Sequence, residues 1–130
     1  MTDLSKSLSL SASGLQAQAA RLRVVSENLA NVDTPGYRRK TAPFEQEMLS
    51  GDQIGRVYQG KPTLDKSELP NIYDPSHPMA NEQGYYEGSN VNLMVEIADA
   101  REAQRSYEAN LKMFEQSRKM STSLMDLLRR

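Results

Sequence analysis

The side chain best equipped for chemistry in this 130-residue chain is His77, its only histidine, set in Asp74-Pro75-Ser76-His77-Pro78. An imidazole can ligate a metal, shuttle a proton or activate a serine, but each role needs company. A zinc site needs further His or Cys ligands, and the chain holds no second histidine and no cysteine. A Ser/His/Asp set would need His77 held by a rigid framework, which a proline-punctuated loop does not offer, and no serine stands in a nucleophile elbow. The glycines never fall at the spacing of a phosphate-cradling loop. Carboxylate pairs such as Glu45 and Glu47 read as solvated faces. Four of the seven methionines lie on the last helical stretch or at its start, where soft packing explains them better than a cofactor does. Catalytic, cofactor-binding and metal-binding residues are therefore all expected to be absent, and His77 reads as a turn residue.

Composition narrows the field further. Sixteen basic residues face seventeen acidic ones, so net charge points to neither nucleic acid nor an anionic membrane. The hydrophobic share is 38%, with no Trp and two Phe, which leaves little material for a self-contained core. The lack of cysteine removes disulfides and thiol chemistry without fixing a compartment. Met-Thr-Asp-Leu-Ser-Lys has no basic region followed by an apolar run, so a cleaved signal peptide is not expected. No apolar run reaches the roughly 18 residues of a membrane span.

Two long helical patterns must position whatever the chain does. From about Asp3 to Asn31, Leu8, Leu15, Leu22 and Leu29 recur every seven residues, with Leu4 one turn ahead and Ala12 and Ala19 completing the stripe. Asp3 is the expected N-cap. Gly14 costs about 1 kcal/mol in a helix interior, but beside Ala12, Ala17, Ala19 and Ala20 it leaves a smooth face that another helix can approach. The second pattern starts at Asn92: Leu93, Ala100, Tyr107, Phe114, Ser121 and Leu128 keep the same spacing, and Ile97, Leu111 and Met125 fill positions four further on. Glu96 suits the positive end of this helix. Seven-residue repeats call for helical partners, so the two helices are expected to pair as an antiparallel coiled-coil hairpin. Val24, Met94, Val95, Met113, Met120 and Leu127 stay outside the stripes, which implies partners beyond the hairpin.

Between the helices the texture changes. Residues 41–52, with Phe44, Met48 and Leu49, suit a short helix or an apolar strap. From Gln53 to Gly88 the sequence reads as two to four short strands, marginal alone. The fold class is thus mainly α, with a small β-rich or irregular insertion: residues 1–34 form the N-terminal helix of a helical core, 35–90 the extended middle, and 91–130 the C-terminal helix. Arg38, Arg39 and Lys40 form either a solvated basic face or a contact to acidic residues of a neighbouring subunit.

The change of character falls at Ser26 to Tyr37. Asn31 and Asp33 compete for backbone hydrogen bonds, Pro35 removes an amide donor, and Gly36 supplies a free dihedral, so the helix must stop there in a defined turn. Ser26, Asn28, Ala30, Asn31, Thr34, Pro35, Gly36 and Tyr37 together resemble the N-terminal signature of flagellar axial proteins, the rod and hook group. His77-Pro78, Ala80, Gly84-Tyr85 and the run Asn90-Val91-Asn92 before Glu96 resemble the approach to the C-terminal helix in the proximal rod family of that group. Arg105 to Asn110 and Lys119-Met120 are similar to the helix itself. One departure is Ser89, where that family often carries proline.

The resemblance implies a structural subunit of the bacterial flagellar basal body. Such a subunit polymerises through its terminal helices into the tubular shaft that transmits torque across the periplasm. It implies export by the flagellar type III apparatus without a cleaved signal peptide. The implied partners are copies of the chain, the rod subunits FlgB, FlgF and FlgG, the rod-base adaptor FliE and the export apparatus, with no nucleic acid and no membrane insertion. A different short rod subunit, similar to FlgB, and a soluble helical-hairpin adaptor or chaperone are the alternatives. For assembly, Leu8, Leu15, Leu22 and Leu29 are expected to pack against Ile97, Tyr107, Leu111 and Phe114. Asn28, Asn31 and Asn110 are expected to set register by hydrogen bonds.

Overall fold

The computed structural model of the chain describes residues 2–48 and 54–129. Two helices bound it, α1 at Thr2–Ala30 and α2 at Leu93–Leu128. Between them lie six short strands: β1 (Lys40–Thr41), β2 (Phe44–Met48), β3 (Ile54–Gln59), β4 (Thr63–Leu64), β5 (Asn71–Tyr73) and β6 (Tyr85–Glu87). They form three separate antiparallel ribbons, β1 with β4, β2 with β3, and β5 with β6. No helix of the described chain is long and apolar enough to cross a membrane.

The helix ends follow local chemistry. Asn92 caps α2, its Oδ1 accepting the backbone N–H of Met94 at 3.0 Å and of Val95 at 3.4 Å. Asp3 does not cap α1: it lies within the first turn, where a carboxylate still faces the positive end of the dipole. After Ala30 the backbone descends through tight turns, Asn31 N to Asn28 O, Thr34 N to Asn31 O and Tyr37 N to Thr34 O. Gly36 takes φ +74 there, a conformation that L side chains resist.

Residues 44–48 are a strand, so of the two readings of 41–52 the short helix does not hold over 44–48; Leu49 lies outside the described residues. Pairing with β3 supplies the backbone partners that an isolated five-residue helix would lack. The register shifts between Gln46 and Met48, where a side chain at Gly55 would sit 2.7 Å from the Glu47 carbonyl. Strand β3 lies on α1, and the Val57 N–H donates to the Ser13 hydroxyl at 3.1 Å.

Contacts between the helices rise along α1 as they fall along α2. Ser7 meets Ser117, Gly14 abuts Asn110, Arg21 reaches Asp99 and Glu102, and Asn28 reaches Glu96. Each α1 contact stands one residue before a leucine of the seven-residue repeat. These contacts form a line of small or polar residues along α1. Leu8, Leu15, Leu22 and Leu29 flank it, each partly buried.

The interior is thin. Among the described residues the buried hydrophobic side chains are Ala17, Val25 and Ala103, while Ser11, Ser13, Asn28, Ser89 and Glu96 are buried polar groups. Met94, Val95, Met113, Met120 and Leu127 are exposed, as their places outside the stripes require.

A methyl group built on Gly14 would stand 3.0 Å from Asn110 Nδ2, the mobile end of a side chain. Gly14→Ala is therefore expected to gain less than the about 1 kcal/mol of its helix propensity, and the full gain should return in an Asn110→Ala background. Urea unfolding of the four variants, followed by far-UV circular dichroism at fixed chain concentration, measures this coupling. Simple additivity would show that Asn110 does not oppose the methyl.

Candidate functional site

The densest set of side-chain interactions lies where the end of α1, the turn after it and the first turns of α2 meet. Asn28 is its hub. Only 1% exposed, it uses all of its hydrogen-bonding capacity. Its Nδ2 donates to the Lys40 carbonyl at 2.9 Å and to Glu96 Oε2 at 3.4 Å. Its Oδ1 accepts the Tyr37 hydroxyl and the Lys40 N–H, each at 2.9 Å. One amide thus ties α1 to the chain that returns past it and to the second helix.

Glu96 is the fully buried partner, 0% exposed. A charge out of water must be paired or it destabilises the fold by several kcal/mol. Arg39 Nε donates to Glu96 Oε1 while Arg39 Nη2 reaches Asp99 Oδ2 at 2.9 Å. Burial on its own would pull the Arg39 guanidinium down. The hydrogen bond and charge of Glu96, then the charges of Asp99 and Asp65, outweigh it and hold the group above its ordinary value. Arg21 extends the set to Asp99 and Glu102 at 3.5 Å and lies 5.8 Å from the Phe44 ring centre. Lys40 pairs with Glu27 at the rim.

A second asparagine fastens the middle segment to this hub. Asn90 Oδ1 accepts the Arg39 N–H at 2.6 Å, and its Nδ2 reaches the carbonyls of Asp65 and Ser67 at 3.1 and 3.4 Å. Arg38 donates to the same two carbonyls. Within the chain Arg38 is held by backbone carbonyls, Arg39 by Glu96 and Asp99 of α2, and Lys40 by Glu27 of α1. Ser89 is buried, and its hydroxyl donates to the Val32 carbonyl at the end of α1, a bond that a proline there could not make.

The structure thus joins Asn28, Tyr37 and Asn90 from the two sequence signatures, and Asn92 starts the helix that delivers Glu96. Asn31 braces the turn, its Nδ2 on the Glu27 carbonyl and its Oδ1 accepting the Thr34 hydroxyl. Pro35 is partly buried beside Gly36. Ser26 and Ala30 are exposed on α1. His77, Pro78 and Gly84 lie apart on the β5–β6 hairpin, where Gly84 at φ +87 lets the Tyr73 ring close to 2.9 Å of its Cβ position. Ile97, Tyr107, Phe114 and Asn110 are partly buried and Leu111 is exposed. Arg21, Asp99 and Glu102 carried no sequence motif; the signal for them is the three-residue spacing of Glu96, Asp99 and Glu102 on one face of α2. Among the described residues no group of three or more His, Cys, Asp or Glu is placed to hold a metal ion.

A long helix at each end, a β-rich middle and a hub built from both signatures mark a flagellar axial protein. Residues 8–38 match the flagella basal body rod protein family, and residues 82–127 match the C-terminal family of the flagellar basal body rod FlgEFG proteins. The chain is 43% identical to the flagellar basal-body rod protein FlgC of Agrobacterium fabrum, over 99% of this chain and 98% of that one. It is 38% identical to FlgC of Bacillus subtilis, over 81% and 85%, and 35% identical to FlgC of Aquifex aeolicus, over 88% and 89%. The chain belongs to the FlgC family of flagellar basal-body rod proteins.

Asn28→Ala is expected to destabilise the fold by about 2–4 kcal/mol, since it strands Glu96, the Tyr37 hydroxyl and two backbone groups at once. Glu96→Gln, which keeps the shape and removes the charge, should cost less than Glu96→Ala; unfolding midpoints of the three variants settle the order. Tyr37 supplies a pH test. Burial first, then the charge of Glu27, raise its phenol, with Lys40 opposing and Glu96 adding. A folded value above the unfolded one means the neutral phenol stabilises the fold. That contribution is complete below about pH 10 and is lost as pH rises through the folded value. The alkaline absorbance difference between the wild type and Tyr37→Phe should reveal a phenol titrating above pH 10; a difference curve centred at or below 10 would contradict the assignment.

Proposed function

We propose that this chain is a structural subunit of the flagellar basal-body rod, of the proximal part, and that it polymerises through its terminal helices into the shaft that carries torque across the periplasm. Membership of the FlgC family supports the first part. One structural quantity carries the second. The chain exposes 9638 Å². A compact monomer of its 14.6 kDa would expose about 6,900 Å². The surplus of about 2,700 Å² exceeds the roughly 1,200–2,000 Å² that a specific protein interface buries.

In this reading α1 and α2 pair as an antiparallel coiled-coil hairpin and form the helical core, residues 1–34 with 91–130. Residues 35–90 face outward or toward adjacent subunits. The contact order along the two helices supports that pairing. The leucines beside the polar line and the apolar side chains of α2 then meet neighbouring copies, FlgB, FlgF and FlgG, and FliE at the base. Asn28 and Asn110 fix register, while Asn31 holds the turn after α1. The chain travels through the flagellar type III apparatus without a cleaved signal peptide, a route that a cysteine-free, weakly cored chain suits. Part of the folding cost is met by burial between subunits, so the terminal helices are weakly ordered in the free chain.

Far-UV circular dichroism of the free chain across concentration, with sedimentation velocity on the same samples, tests this. Low helicity at micromolar concentration, rising with assembly or with rod partners, is the expected outcome. A fully helical monomer or dimer whose signal ignores concentration would support the adaptor reading instead.

A further inference from the structure

We propose that His77 is a proton-operated clasp on the turn of the β5–β6 hairpin, closing it when neutral and releasing it when charged. The imidazole lies flat on Tyr86, with ring centres 3.9 Å apart and planes within 11°. Its Nδ1 accepts the backbone N–H of Met79 at 3.1 Å. That bond requires a lone pair on Nδ1, which places the single proton of the neutral ring on Nε2.

The neighbouring turns are held in the same way but by oxygen. Asp74 Oδ1 accepts both the N–H and the hydroxyl of Ser76, and Asn81 Oδ1 accepts the N–H groups of Gln83 and Tyr85, each at 3.0 Å. Ionised carboxylate and amide oxygens remain acceptors through the neutral range. Imidazole is the side chain whose charge changes between pH 5 and 8. Protonation turns Nδ1 from acceptor into donor, and it then confronts the Met79 N–H donor to donor. The face of Tyr86 attracts the cation, so the ring stays seated and the backbone from Pro78 to Ala80 is what yields. Met79 is exposed, leaving room for that movement.

The remaining titratable groups of this hairpin do not substitute for the clasp. Asp74 is occupied by Ser76, and the Tyr73 and Tyr85 rings meet tilted at 59° with centres 5.1 Å apart. Glu82 and Glu87 complete the set, and His77 forms no ion pair among the described residues. The turn therefore has one shape with the neutral ring and another with the charged one, a property independent of how the helices assemble.

Nitrogen-15 NMR of the full chain between pH 5 and 8 tests the clasp, comparing wild type with His77→Asn, whose amide oxygen can accept the same N–H without titrating, and with Asp74→Asn. The expected result is an Nε2–H tautomer at pH 8 and a Met79 amide whose protection factor falls about three- to tenfold as His77 is protonated, the equivalent of one net hydrogen bond. His77→Asn should abolish that dependence and Asp74→Asn should retain it. An Nδ1–H tautomer, the same dependence in His77→Asn, its loss in Asp74→Asn, or a Met79 amide unprotected at every pH would each overturn the proposal.

Discussion

Glu96 carries a carboxylate into a place that water does not reach, and the rest of the fold is arranged to make that tolerable. Its oxygens are met by Arg39 from the returning chain and by Asn28 from the first helix. Because a buried charge that loses its partner is far costlier than one never buried, this arrangement penalises near-native alternatives more than it adds stability. A slip of one residue between the helices would leave Glu96 unpaired. Asn28 would at the same time lose Glu96, its partner on the second helix. The junction thus sets the relation of three separate stretches of chain with few apolar contacts.

That economy explains the division of labour along α1. Ser7, Gly14, Arg21 and Asn28, all small or polar, make contacts to α2. The neighbouring leucines remain only partly covered. The two helices spend little of their apolar surface on each other, and Met94, Met113, Met120, Leu127 and Leu128 stay exposed, the kind of surface that marks an interaction site. Weak internal packing and an exacting polar junction are compatible, because the first sets how strongly the subunit folds and the second sets which arrangement it folds into.

The middle segment obeys the same logic on a smaller scale. Three two-stranded ribbons are each too small to stand alone, and each is anchored by a few directional bonds. β3 is tied to α1 through Ser13, the β1–β4 ribbon sits beside the hub through Asn90 and Arg38, and the end of β6 meets the Gly36 turn. Tight turns with side-chain acceptors do for the β5–β6 hairpin what a hydrophobic core would do elsewhere.

Much of this was legible in the residues themselves. The seven-residue repeats and the absence of Pro and Gly after Asn92 determined both long helices, Asn92 marked a helix start, and Pro35 with Gly36 marked a stop, because these are local properties of dihedrals and periodicity. Two to four short strands were expected after Gln53, and four form there. Tertiary structure decided the rest. Periodicity locates a stripe within about one residue, so it could not tell the leucines from the polar line beside them. Nor could it show that residues 44–48 pair as a strand, because the partner that makes them one lies across a turn. Nor could it give Arg39 its partners, because Glu96 and Asp99 lie more than fifty positions away. Ion pairs are fixed by distance in space, and only the folded chain brings those charges within reach of each other.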